Sequence, residues 1–153
     1  MSELTVQIVQ ATTNEVQLVA PLFNQYRVYY EQESNESGTV HYLKERLDHN
    51  ESVIFIACNS EKTEAYGFTQ LYPSFSSISM RKTWILNDLF VKDEARRMGI
   101  AKNIMIAAHD FAKATDAKGV SLETAEDNLG ARRLYESLGY KMDNEYLHYF
   151  LSF

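Results

Sequence analysis

Residues 96–102, Arg-Arg-Met-Gly-Ile-Ala-Lys, are of the types that hold a small anion. A glycine and a small residue let the main chain approach a ligand, and the unpaired N–H groups that open a helix favour negative charge. Arginine adds charge-assisted bonds to phosphate oxygens. The apolar run WILNDLFV precedes this turn, and apolar residues at helical spacing follow it. Strand, basic turn and helix would together cradle a phosphate. The plainer alternative is a helix start with two solvated arginines. Neither G-x-x-x-x-G-K-S/T nor a G-x-G-x-x-G after a strand is present, so a nucleotide-hydrolysing P-loop and a dinucleotide fold are unsupported.

Asp88 is the second group of chemical interest. It follows Trp84 and Leu86 at alternate positions, so an acid interrupts the expected apolar face of a central strand. An unpaired buried carboxylate is costly, which implies a catalytic task or a structural hydrogen bond or ion pair. His41, His49, His109 and His148 have no metal-ligand spacing, and no metal is expected. No nucleophilic triad is indicated either.

The elements that must position these groups can be read from periodicity. LTVQIVQAT alternates as a first strand, and Thr12-x-x-Glu15 signals a helix start. Val16, Val19, Phe23, Tyr26 and Tyr30 predict a helix over 14–31, with Pro21 a potential kink. EQESNESGT reads as a polar loop and VHYLKERLDH as a short second helix. SVIFIAC, EAYGFTQLY and KTWILNDLFV read as strands, with YPSFSS as a turn. Ile100, Ile104, Ala107, Ala108 and Phe111 mark a helix that ends near Gly119. VSLET is a short strand, Ala131, Leu134, Tyr135 and Leu138 are the stripe of a last helix, and EYLHYFLSF is a terminal strand. This order gives an α/β (α+β) fold, antiparallel in front with a βαβ-like rear half, as one domain over residues 1–153.

Composition narrows the function. With 45% apolar and 12% aromatic residues the chain suits a packed globule rather than a disordered protein. A net charge of −6 argues against a nucleic-acid partner, which needs a broad basic footprint, and favours a cationic one. No apolar run has the length of a membrane span, and no basic leader precedes MSELTVQIVQ. The lone Cys58 in an apolar strand points to a reducing, cytoplasmic setting.

Taken with its flanks, the basic turn resembles the GNAT family of N-acetyltransferases. The acetyl-CoA motif of that family reads Arg/Gln-x-x-Gly-x-Gly/Ala after a strand ending in an apolar-Val pair. Phe90-Val91, Arg96, Gly99 and Ala101 fill it here. A second block, ETAEDNLGARRLYESLGY, is similar to the family's Asn-x-x-Ala-x-x-x-Tyr-x-x-x-Gly segment through Asn128, Ala131, Tyr135 and Gly139. The two blocks occur in the family's order, and the resemblance spans nearly the whole chain. It implies a mixed, mostly antiparallel sheet of about six to seven strands, splayed between the fourth and fifth, with about four helices.

The resemblance also implies roles. Arg96, Arg97, Met98, Gly99, Ile100, Ala101 and Lys102 would cradle the coenzyme A pyrophosphate, chiefly through main-chain N–H groups. Leu89, Phe90 and Val91 would pair with the pantetheine arm, and an N–H near Phe90 would bond the acetyl oxygen. Asn128 would bind the pantetheine or adenylate side, with Tyr135 near the sulfur. An alkyl amine has a pKa of about 10.4, so a base or desolvation must free its lone pair. A phenol such as Tyr135 can protonate the departing thiolate, though Tyr135 also fits a packed helix stripe. ILNDLFV is similar to the strand of diamine acetyltransferases, which carry Glu-Asp where this chain has Asn87-Asp88. Asp88 then faces the substrate, while Asn87 in place of an acid favours a water chain as base. Tyr29, Tyr30, Glu33, Tyr72, Trp84 and Asn87 would line the amine pocket, with ordinary aromatic packing the alternative for the tyrosines. The expected activity is acetyl transfer from acetyl-CoA to a small amine. Protein lysine acetylation and a non-catalytic acyl-CoA-binding module are the alternatives. A homodimer through the terminal strand is also expected.

Overall fold

The continuous apolar run VIFIAC and the start of AYGFTQLYPSFS, buried on both faces, build the middle of a five-stranded sheet. The computed structural model describes residues 5–153. Two compact units, Met1–Leu122 and Glu123–Phe153, make up the chain.

In the first unit the strands β1 (Gln7–Gln10), β2 (Val53–Cys58), β3 (Ala65–Ser76), β4 (Arg81–Val91) and β5 (Val120–Ser121) lie in chain order. The first four pair antiparallel, and β5 runs parallel to β4. Leu4, the first residue of the expected opening strand, lies outside the described residues. Helices α1 (Val16–Tyr29) and α2 (Glu36–Asp48) follow β1, and α3 (Ile100–Ala114) links β4 to β5. Thr12 and Glu15 form the expected capping box, with Thr12 N–H donating to Glu15 at 2.9 Å. The second helix starts earlier than its apolar spacing implied, because the Asn35 side chain caps it by accepting from Gly38 N–H at 2.9 Å.

The two sheet faces carry different cores. Beneath α1 and α2 lie Val19, Leu43, Ile54, Ile56 and Phe68, all fully buried, with the Phe23 ring tilted against Phe68, their centroids 5.7 Å apart. Burying each such side chain contributes about 1.5–3 kcal/mol. Beneath α3 lie Phe55 and Trp84, which meet Phe111 edge-on at 5.8 and 5.2 Å. Along β3 and β4, read from their hairpin, strand parity keeps the two faces in phase until Asn87. There Gln70 pairs with Asp88 while Leu71 pairs with Leu86, so Asn87 is an extra residue bulged out of β4.

The bulge reverses the faces of β4. Trp84 and Leu86 point to α3, whereas Asp88 and Phe90 share the α1–α2 face with Gln70 and Phe68, their cross-strand partners. Simple alternation, which put Asp88 on the face of Trp84, is corrected by this one residue. The hairpin also differs from expectation: YPSFSS is not a turn but the end of β3. Pro73 is tolerated there because Trp84, its partner, sends its N–H to Gly119 C=O at 3.1 Å, away from β3. The nitrogen of Pro73 therefore faces the side where β2 has already ended, its last pair being Val53 with Leu71.

The second unit holds α4 (Leu129–Ser137), capped by Asn128 and closed by Gly139 at φ +96°. Residues 141–153 form no helix or strand, which corrects the expected terminal strand and leaves five strands rather than six or seven among the described residues. Alternation alone does not make a strand, because its main-chain groups need a partner ladder.

Gly67 sits where β3, β4 and α3 come closest. A Cβ there would lie 3.0 Å from Phe90 O, 3.0 Å from Val91 Cγ2 and 3.2 Å from Ile104 Cδ1. Gly67→Ala should therefore destabilise the protein by about 1–3 kcal/mol, read as a lower urea midpoint with an unchanged slope. An unchanged midpoint would show that β4 yields at no cost.

Candidate active site

The turn from β4 into α3 is a cradle of idle donors. Arg97 and Gly99 both adopt left-handed conformations, at φ +63° and +73°. The first helical bond of α3 is from Asn103 N–H to Gly99 C=O, at 3.1 Å. Among the described residues no carbonyl accepts from the N–H groups of residues 97–102. Their dipoles add to the positive end of a fifteen-residue helix. A Cβ on Gly99 would meet nothing within 4 Å, so the concavity is open to a ligand.

The basic side chains divide their work. Arg96 braces the turn, bonding Val91 C=O through Nε at 3.2 Å and pairing with Asp93 at 3.0 Å. Lys92 is drawn to Glu64 at 2.8 Å. Arg97 and Lys102 are exposed and have no ion-pair partner among the described residues, which leaves them to meet an anion. Ile100 is buried and anchors the helix start, while Met98 is exposed beside it and Ala101 is half-buried.

The sheet opens next to this turn. β5 pairs with β4 only at Trp84–Val120 and Ile85–Ser121, although β4 continues to Val91. Beyond Leu86, among the described residues, no strand pairs with the β5 side of β4. Lys92 N–H donates to Tyr66 C=O at 3.0 Å, and alternation from that bond sends Phe90 N–H toward β3. The N–H and C=O groups of Leu89 and the N–H of Val91 therefore face the gap, while Val91 C=O is taken by Arg96 Nε. An extended amide-bearing ligand could pair there as a strand would.

Asp88 lies at the middle of this open stretch, 7% exposed. Gln70, fully buried, donates from Nε2 to Asp88 Oδ2 at 2.8 Å, and Ser52 Oγ donates to Gln70 Oε1 at 2.7 Å. Asn87 Nδ2 reaches both Asp88 oxygens at 3.2 Å. Thr69 Oγ1 donates to Asp88 C=O at 2.7 Å and secures the main chain at the bulge. No cation pairs with Asp88 among the described residues. It is a carboxylate held by neutral donors.

Aromatic residues cover the same face. Tyr26 packs against Phe68 and Phe90, and Tyr29 and Tyr30 extend the cluster to the surface. A cavity of about 300 Å³ is lined by Tyr29, Phe90, Asp93, Glu94 and Arg96, among others. A second, of about 320 Å³, is lined by Tyr42, Arg46, Glu51, Tyr72 and Pro73. The Tyr72 and Tyr42 hydroxyls bond each other at 2.6 Å. Burial, that bond and the Asp88 charge all hold the Tyr72 phenol protonated well above the usual range.

The fold thus brings Asp88, Asn87, Phe90, Tyr29, Tyr30 and Tyr72 to one face, and does not bring Trp84 there. Trp84 is 4% exposed on the α3 face, with Nε1 bonded to Thr115 at 3.0 Å. Glu33 is exposed in the loop after α1, its carbonyl taking a bond from Arg27. In the second unit Asn128 uses its side-chain oxygen to cap α4, from Ala131 N–H at 3.3 Å, and the Tyr135 ring lies 6.0 Å from that of Tyr140. Sequence reasoning missed Ser52, Gln70 and Tyr42. The one available signal was a glutamine inside the apolar strand GFTQLY.

A sheet that stops pairing on one side of β4, just before a helix start with unused donors, is the layout of an acyltransferase fold that takes an extended, phosphate-bearing cosubstrate. The family model described as Acetyltransferase (GNAT) family matches residues 19–140, and the chain belongs to that family. It is 48% identical over 94% of its length to an uncharacterised N-acetyltransferase, YhfO, of Bacillus subtilis, covering 95% of that protein. A probable acetyltransferase of Haemophilus influenzae is 33% identical over 84% of this chain and 85% of its own. The crystal structure of a probable acetyltransferase, 41% identical, superposes with a TM-score of 0.90 over 96% of this chain and 97% of that one. Among the described residues no helix is long and apolar enough to cross a membrane, and no cluster of His, Cys, Asp and Glu could hold a metal ion.

Gly99→Val tests the cradle. The branched side chain would fill the open concavity and strain a left-handed position. Calorimetric titration should show acetyl-CoA binding, weakened by salt, in the wild type and none in the variant. A folded variant that binds as tightly as wild type would remove the cradle.

Proposed function

We propose that this chain transfers an acetyl group from acetyl-CoA to the primary amine of a small acceptor: a polyamine, a diamine or an amino acid. The observation that carries the reading is the open edge of β4 running past the buried carboxylate of Asp88 into the idle donors of residues 97–102. Acetyl-CoA, when bound, supplies a thioester open to attack by an amine. The N–H groups of residues 97–102, with Arg97 and Lys102, hold its phosphates. The gap-facing groups of Leu89 and Val91 orient the pantetheine arm and offer donors to the acetyl oxygen.

The acceptor approaches on the α1–α2 face, where Tyr29, Tyr30, Tyr72 and Asn87 surround it and Glu33 adds negative charge at the rim. Asp88 receives the ammonium proton, directly or through a water. Tyr135 donates a proton to the leaving sulfur, and Asn128 steadies the cosubstrate. A coenzyme A thiol resembles cysteine, with a pKa of about 8.5, so its thiolate leaves fairly well and the acid's share is modest.

Free-thiol release from acetyl-CoA across a panel of amines tests the activity. Absence of thiol with every amine, together with absence of binding heat, removes it. Tyr135→Phe should lower kcat about 10²-fold with acetyl-CoA affinity unchanged, and Asp88→Asn should lower it at least as far. Full turnover in Tyr135→Phe would sink the acid role.

We further propose a homodimer that covers the terminal aromatic segment, in which Tyr149 and Phe150 are about nine-tenths exposed, at 90% and 93%. Light scattering over a dilution series should give twice the chain mass; the mass of one chain at every concentration refutes this.

A further inference from the structure

Ser52, Gln70 and Asp88 form a hydrogen-bonded chain in which all three residues are at least nine-tenths buried, at 6%, 0% and 7% exposure. We propose that Gln70 and, through it, Ser52 are positioning residues that hold Asp88 as the unprotonated acceptor of the substrate amine's proton. The inference rests on the acetyl-transfer reading and deepens it.

The direction of the chain follows from what each group can do. An ionised carboxylate only accepts, so the Gln70 atom 2.8 Å from Asp88 Oδ2 must be its NH₂. The amide oxygen then faces Ser52, whose hydroxyl donates to it at 2.7 Å. Each end dictates the same amide orientation. Were Gln70 to turn over, its oxygen would confront the carboxylate and its NH₂ would displace the Ser52 proton.

The bonds are also unequal. Oδ2 receives from Gln70 and Asn87, whereas Oδ1 receives from Asn87 alone, at 3.2 Å. Oδ1 therefore keeps the capacity to take a proton. Protonation weakens the bond from Gln70, because a donor bonds an ionised acceptor about twice as strongly as a neutral one. The relay thus bonds one carboxylate oxygen and leaves the other available. The ionisable groups facing Asp88 are Tyr72 from β3 and, behind Tyr72, Tyr42 and Arg46 of α2. From α1 comes Tyr26, packed over Phe90. None is a cation in direct contact with Asp88.

The test is a carbon-13 NMR titration of side-chain-labelled aspartates in the full-length protein, with the Asp88 signal assigned by its loss in Asp88→Asn. Gln70→Met keeps the length and removes both hydrogen bonds. Its Asp88 signal should titrate about one pH unit higher than in wild type, a tenfold change in proton binding. Ser52→Ala should move it the same way by less, and carries the test if Gln70→Met does not fold. A lower melting temperature alone would reflect packing; a positioning role requires the titration to move and kcat to fall while acetyl-CoA affinity holds. An unmoved Asp88 signal in the folded variant overturns the proposal. Thiol release, measured separately, distinguishes the two failures. Turnover with an unmoved titration keeps the acetyl transfer and removes the relay. A moved titration in a protein that never releases thiol supports the relay and removes the transfer.

Discussion

β4 carries one residue more than its partner, and the site depends on that excess. A strand presents alternate residues to opposite faces, so a single insertion exchanges everything beyond it. Before Asn87 the strand gives its large apolar groups to α3. After it, an acid and a phenylalanine turn to α1 and α2. The same insertion re-phases the main chain, sending Leu89 and Val91 rather than their neighbours toward the gap. One displaced residue therefore decides both where the carboxylate points and which N–H groups are unpaired beside it.

The remaining parts serve this arrangement. β3 backs β4 along its whole length and supplies Thr69 and Gln70 to the bulge. α3 begins where β4 ends, so its unused donors continue the line of the open edge. Arg96 ties the turn back to Val91, which leaves its neighbour Arg97 in the left-handed position that turns the following N–H groups outward.

Much of this was legible in the sequence, and what escaped did so for a reason. The cradle is a local feature of residue types at a helix start, and residues 96–102 announce it. The capping of α1 by Thr12 and Glu15 is equally local. The bulge escaped because W-I-L-N-D-L-F alternates plausibly with or without an extra residue, and only the register against β3 decides. Trp84 was consequently assigned to the face of Asp88 and belongs to the other. Ser52 and Gln70 are eighteen positions apart and meet only because β2 and β3 pair. The terminal segment has the alternation of a strand, but pairing requires a second strand that the sequence of the segment cannot supply.

The half-paired stretch of β4 has a thermodynamic side. A ligand that fills it acts as a removable strand, contributing hydrogen bonds in the folded state and none in the unfolded chain. Occupancy and folding are then linked by mass action: saturation at a hundredfold the dissociation constant adds about 2.7 kcal/mol of stability. For a domain whose margin is about 5–15 kcal/mol, that is a substantial fraction. The resistance of the chain to unfolding, and to pairing of its bare edge with other chains, would rise and fall with the supply of whatever occupies the gap.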